Sequence, residues 1–157
     1  MHISWREQMA VDHGMIDDDH RQIIAITNEF IDLEGTPFRA ADLQRILAKL
    51  DRYTKTHLQR EQQLQKKIFY PFAEAHEYQH RDLIKRLDAM RAKVKPELAD
   101  NQLAIVFDDL AQLLRHWFID HIIHSDLRMR PYAAILRQLS AGAADLAAAV
   151  TEHVPIA

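Results

Sequence analysis

In the middle of this chain, histidine and glutamate stand where leucine belongs. His57 and Glu61 are four residues apart, as are His76 and His80, with Tyr70-Pro71 between the two pairs. On a helix, residues spaced by four lie about 40° apart around the axis and about 6 Å along it, so each pair can grip one object. The surroundings fix which way they face. One seam runs Leu43, Leu47, Leu50, Thr54, His57, Glu61, Leu64, Ile68, and a second runs Ala73, His76, His80, Leu83, Leu87, Met90, Val94. Both advance by threes and fours, the pattern of a helix buried along one side. Burying a carboxylate and several imidazoles without partners costs several kcal/mol, and pairing or metal coordination is what offsets it. One such pair is ordinarily a His–Glu ion pair, but two facing pairs point to a metal.

The elements that must position them follow from the same periodicity. A helix from Arg39 to Phe69, a turn at Tyr70-Pro71 and a helix from Phe72 to Val94 form an antiparallel hairpin that brings Glu61 and His80 to one level. A preceding helix starts near Ile16, buries Ile16, His20, Ile23, Ile24, Thr27, Phe30 and Ile31, and ends at Gly35-Thr36-Pro37. The acidic run Asp17, Asp18, Asp19 suits its N-terminus. A fourth helix, with Asp100 as N-cap, carries Leu103, Val106, Leu110, Leu113, Trp117 and His121 along its buried stripe. The expected architecture is all-α: an up-down-up-down four-helix bundle (16–130) with an N-terminal extended arm (1–15) and an extra C-terminal helix and tail (131–157), in a single domain.

Composition agrees and excludes other classes. At 157 residues the chain is one domain in size, and only 3 Gly among 48% hydrophobic residues fits helices better than sheets. The net charge of −3, with both signs interspersed, leaves no basic footprint for nucleic acid. Cysteine is absent, so any metal is held by nitrogen and oxygen alone. No apolar run reaches the roughly 20 residues of a membrane span, and the start lacks a signal-peptide core. The expected location is the cytoplasm, with no membrane partner.

Beyond His121 the sequence reads Ile122-Ile123-His124-Ser125-Asp126. Five residues of regular helix turn Asp126 about 140° away from His121, so by spacing alone His124 is the better partner. The whole ordered set is nevertheless distinctive: His20, His57-x-x-x-Glu61, His76-x-x-x-His80 and His121-x-x-x-x-Asp126. With Ile16-Asp17-x-x-His20, Tyr70-Pro71, and Trp117 four residues before His121, it resembles the hemerythrin family, bacteriohemerythrins in particular, over roughly residues 5–130. The resemblance implies an oxo- or hydroxo-bridged centre of two non-haem iron ions that binds O2 reversibly. Carried over residue by residue, it assigns His76, His80 and His121 to one iron, His20 and His57 to the other, and Glu61 and Asp126 to both. His124 is then second to Asp126 and outside the ligand set, and the helix near 121–126 must be distorted, as by a π-bulge. A regular α-helix with Asp126 in solvent would contradict this.

Counting ligands supports binding over chemistry. Two octahedral irons offer about twelve positions. Five histidines, two bridging carboxylates and a bridging oxygen leave one open, on the iron with two histidines. The departures from the common bacterial pattern, Leu58, Gln62 and Gln65, fall on the pocket lining. The expected function is therefore carriage, storage or sensing of O2 rather than enzymatic turnover. An oxygen-activating di-iron enzyme of the ferritin type uses two Glu-x-x-His motifs, and only Glu77-x-x-His80 occurs here. An O2, redox or nitric oxide sensor signalling through residues 131–157, where an oligomer or protein contact could form, is the alternative, as is peroxidase- or oxidase-type activity. The remaining histidines, His2, His13, His116, His124 and His153, read as surface or capping groups.

Overall fold

A computed structural model describes residues 2–138; the expected C-terminal helix lies largely outside the described residues, and His153 wholly so. Among the described residues the chain is all-helical: α1 (Met15–Ile31), α2 (Ala40–Lys67), α3 (Ala73–Lys93) and α4 (Asp100–His116). The buried seams zip these into an up-down-up-down bundle. Both predicted seams are buried throughout except for half-buried Leu64 and Ala73. Thr54, an apparent break in the first seam, returns its hydroxyl to the Leu50 carbonyl at 2.6 Å and so costs the core little.

Helix ends follow local chemistry. α2 begins after Arg39, whose N–H donates to Asp42, and α3 stops at Lys93, ahead of Pro96. α4 starts one residue earlier than expected. Asp100 is inside the helix, and Ala99 is the N-cap, its N–H donating to the Gln102 side chain at 3.1 Å. The turn after α2 places Phe69 at φ +50° and returns the Tyr70 N–H to the Gln65 carbonyl at 2.9 Å, which tucks the Tyr70 ring inward.

The apolar interior is in two parts. The larger joins all four helices, from Ile23 and Leu47 through Leu87 to Leu110 and Trp117. The smaller, Val11, Ile16, Ile68, Tyr70 and Met129, closes the end of the bundle where the arm crosses. Between the two lies a layer of buried polar side chains.

The arm is fastened by carboxylates whose role differs from the one expected. Asp12 caps α1, accepting from the N–H groups of Gly14 (2.9 Å), Ile16 (3.2 Å) and Asp17 (3.2 Å). Asp17 is fully buried and accepts from Val11 N–H at 2.6 Å and His13 N–H at 2.9 Å. Arg130 clamps the arm from the other side, its Nε donating to the Ala10 carbonyl at 2.5 Å. Hydrogen bonds to a charged group contribute roughly 1.5–3 kcal/mol. Asp17→Ala leaves the Val11, Asp12 and His13 N–H groups without their acceptor and is expected to lower stability to urea by about 2–3 kcal/mol, whereas the exposed Asp18→Ala should change it by less than about 0.5 kcal/mol.

Candidate metal centre

Each helix delivers its share of the polar layer from its buried stripe. α1 contributes His20, α2 His57 and Glu61, and α3 His76 and His80; all are at most 3% exposed. The fourth helix needs a change of winding. After His116 it passes into a π-helix, Trp117–Ile123, in which His124 N–H bonds the Ile119 carbonyl at 3.2 Å. A short 3₁₀ turn, Asp126–Met129, follows. The wider turn sets His121 and Asp126 on one side, 3% and 0% exposed, and leaves His124 at the surface beside Asp120. The ambiguity that spacing leaves between His124 and Asp126 is resolved by this local winding.

All seven sequence-predicted residues converge, and they form two groups. Ligand-capable atoms of Glu61, His76, His80 and His121 lie within 4.8 Å of one another, and so do those of His20, His57, Glu61 and Asp126. Glu61 is common to both. Its Oε2 lies 2.9 Å from His80 Nε2, 3.3 Å from His76 Nε2 and 3.7 Å from His57 Nε2. Asp126 divides its oxygens: Oδ2 is 3.2 Å from His20 Nε2, while Oδ1 is 3.1 Å from His76 Nε2 and 3.5 Å from His121 Nε2. The five imidazoles thus turn their Nε2 atoms toward two shared carboxylates.

These short approaches leave many polar atoms unsatisfied. Among the described residues, the buried side-chain nitrogens and oxygens without a hydrogen-bond partner all belong to these seven residues, apart from Asp19 Oδ2 and Trp117 Nε1. Native interiors tolerate few such groups. A cation in each group would satisfy the Glu61 oxygens and the four unpartnered Nε2 atoms, so the donor set fits a nitrogen- and oxygen-ligated metal pair.

The electrostatics of the metal-free cluster carry the same message. Burial opposes charge on every member, yet the imidazoles around Glu61 hold its carboxyl well below the usual range. Asp126 is likewise held down, against burial and the neighbouring Glu61 charge, by His121, His20 and His76. Burial disfavours the His76 cation too, but the close Asp126 and Glu61 carboxylates raise its pKa to about 10. His57 is also raised, with Glu61, Asp19 and Asp126 outweighing burial. His121 falls to about 4, burial prevailing over its two carboxylate neighbours. Metal binding to such a cluster releases whatever protons its ligands carry.

Residues 11–133 match the sequence profile described as Hemerythrin HHE cation binding domain. The chain belongs to the hemerythrin family. It is similar to the bacteriohemerythrin of Stenotrophomonas maltophilia (strain R551-3), 27% identical over 122 residues that cover 78% of this chain and 75% of the relative. It is similar as well to the bacteriohemerythrin of Pseudomonas aeruginosa (strain LESB58), 27% identical over 125 residues covering 80% and 77%. No solved structure matches significantly. Within this hemerythrin fold, two of the departures noted in the sequence are buried: Leu58, next to His57 in the chain, and Gln65, whose Nε2 donates to Met129 Sδ at 3.5 Å.

Asp19 is a functional candidate that the sequence reading assigned only to the helix dipole. It is buried, ion-paired with Arg60, and its Oδ2 lies 3.7 Å from His57 Nδ1. The signal was present one position before His20, but only the α1–α2 contact gives it meaning. A carboxylate behind a metal-binding imidazole fixes its orientation, and its loss typically weakens metal affinity about 10–100-fold. Asp19→Asn is therefore expected to release iron to a competing chelator about 10–100-fold more readily than the unaltered protein. An unchanged chelator midpoint would show that Asp19 serves only Arg60.

Proposed function

We propose that this protein binds O2 reversibly at a di-iron centre, with His76, His80 and His121 on one ion, His20 and His57 on the other, and Glu61 and Asp126 bridging both. The observation that carries this reading is the unequal donor distribution: three imidazoles gather on one side of the shared carboxylates and two on the other. One iron is then fully ligated, and the second keeps a position for an exogenous ligand. When bound, the iron pair supplies the two electrons that O2 needs in order to be held as a reduced ligand.

The chain's own residues do the rest. Glu61 and Asp126 hold the ions together and neutralise their charge. The apolar clusters above and below exclude bulk water, which protects the reduced metals from uncontrolled oxidation. The histidine-rich, carboxylate-poor donor set favours reversible binding over oxidation of an organic substrate, since fewer anionic ligands stabilise high-valent iron less. Reversible binding would by itself serve carriage or storage of O2; signalling through residues 131–157 would require an additional state-dependent contact.

Purified protein is expected to contain about two iron ions per chain. Reduced without air, it should develop a visible absorption band on exposure to O2 and lose it when O2 is withdrawn, over repeated cycles. A band that forms once and cannot be reversed would favour a redox sensor or an enzyme. A chain that retains no iron would overturn the ligand assignment.

A further inference from the structure

Charges of both signs alternate along the sequence of α2, but the winding of the helix sorts them. Arg45, Lys49, Arg52, Thr56, Arg60, Gln63 and Lys67 advance by threes and fours. That is the period of the seam through His57 and Glu61, offset to the far side of the helix, so these residues form one stripe along its outer face. Five of the seven are cationic and none is acidic. The stripe is about 33 Å long at the helical rise. α2 as a whole holds seven Lys and Arg against three Asp and Glu, one of the three being the buried Glu61. The complete chain, by contrast, carries a formal net charge of −3.

Any bundle shows charge to water, so the sign of one face decides nothing by itself. Two observations set this stripe apart. Part of its charge is uncompensated: Arg45 pairs with Asp42, Lys49 with Glu29 and Arg60 with Asp19, whereas the exposed Arg52 and Lys67 have no ion pair among the described residues. The stripe is also joined to the interior by named contacts. Arg60, 36% exposed, bonds the buried Asp19, whose Oδ2 lies 3.7 Å from His57 Nδ1. Two side-chain contacts thus lead from solvent to a candidate metal ligand. A molecule seated on the stripe is separated from the buried cluster by little more than the thickness of one helix, about 10–12 Å with its side chains.

We propose that the α2 stripe, centred on Arg60, docks an acidic one-electron carrier protein that returns oxidised iron to the ferrous state by way of Arg60, Asp19 and His57. The inference rests on the di-iron reading above, in which O2 is held only by reduced metal, so oxidised protein needs an external source of electrons. Each encounter passes one electron: the carrier is oxidised by one, and one ferric ion becomes ferrous. Two encounters restore the pair, and no covalent bond forms or breaks. Complementary charge speeds such encounters and loses its effect as salt is added.

The test follows the reduction of iron-loaded, air-oxidised protein by ferrous EDTA, an anionic one-electron donor, without air. The unaltered protein is compared with R52E/K67E on the stripe and with K85E/K95E, which makes the same change in net charge at exposed positions on and just beyond α3. Neither pair belongs to the buried donor set, so the iron content and the oxygenated spectrum should be unchanged in both. At low salt R52E/K67E should be reduced severalfold more slowly than the unaltered protein, and K85E/K95E much less so. The gap should close as salt shortens the Debye length from about 30 Å to about 3 Å. Equal slowing in the two double variants, or none in R52E/K67E, overturns the docking site. Sedimentation of the unaltered protein with phosphatidylglycerol vesicles, abolished in R52E/K67E, would assign the stripe to a bilayer and overturn the carrier. Failure of the di-iron reading would show separately, as a lack of iron in the unaltered protein before any reductant is added.

Discussion

Two carboxylates placed in an apolar interior are the constraint on which the rest of this structure depends. Glu61 and Asp126 are completely buried, and an isolated ionised carboxylate there costs several kcal/mol even after relaxation. Five imidazoles offset that cost only in part: His20 Nε2 bonds Asp126 Oδ2, while the other four Nε2 atoms lie close to the carboxylates without a hydrogen bond. The bundle must bring these groups together from four helices and hold them, which explains why the apolar core is split: one cluster fixes the helices above the polar layer, and the other, assembled from the arm, the α2–α3 turn and Met129, seals it below. Removing one partner from such a layer exposes a buried charge, so each member depends on the others.

The π-helix is the backbone consequence of that constraint. Trp117 and Ile122 must stay in the core while His121 and Asp126 both face the carboxylate of Glu61, and no regular winding meets those demands together. π-turns are rare and concentrate at functional sites. Here it turns His121 and Asp126 inward and leaves His124 at the surface.

Much of this was legible in the sequence, for a definite physical reason. The seams through His57 and His80 are strictly periodic, so helix existence, direction and the buried face of each polar residue followed from threes and fours. Asp126 was different. Periodicity describes regular helices, and by that rule His124 was the better partner; only the resemblance to a family indicated the residue five positions on, and with it the distortion. Asp17 and Asp19 show a second limit. Both read as helix-start acids, but Asp17 ties down the arm, and Asp19 lies against Arg60 and His57. Their partners lie in the arm or on α2, a through-space fact that one-dimensional spacing does not contain. The same holds for Gln65, whose partner Met129 lies 64 residues on.

The proposed centre shares five histidines unequally between two metals bridged by Glu61 and Asp126. The most direct test is a crystal structure of the iron-loaded protein with an anomalous difference map at the iron edge. The account predicts two peaks about 3.5 Å apart, one against His76, His80 and His121 and the other against His20 and His57, with Asp126 reaching both. A single peak, or a centre in which His124 has replaced Asp126, would contradict it.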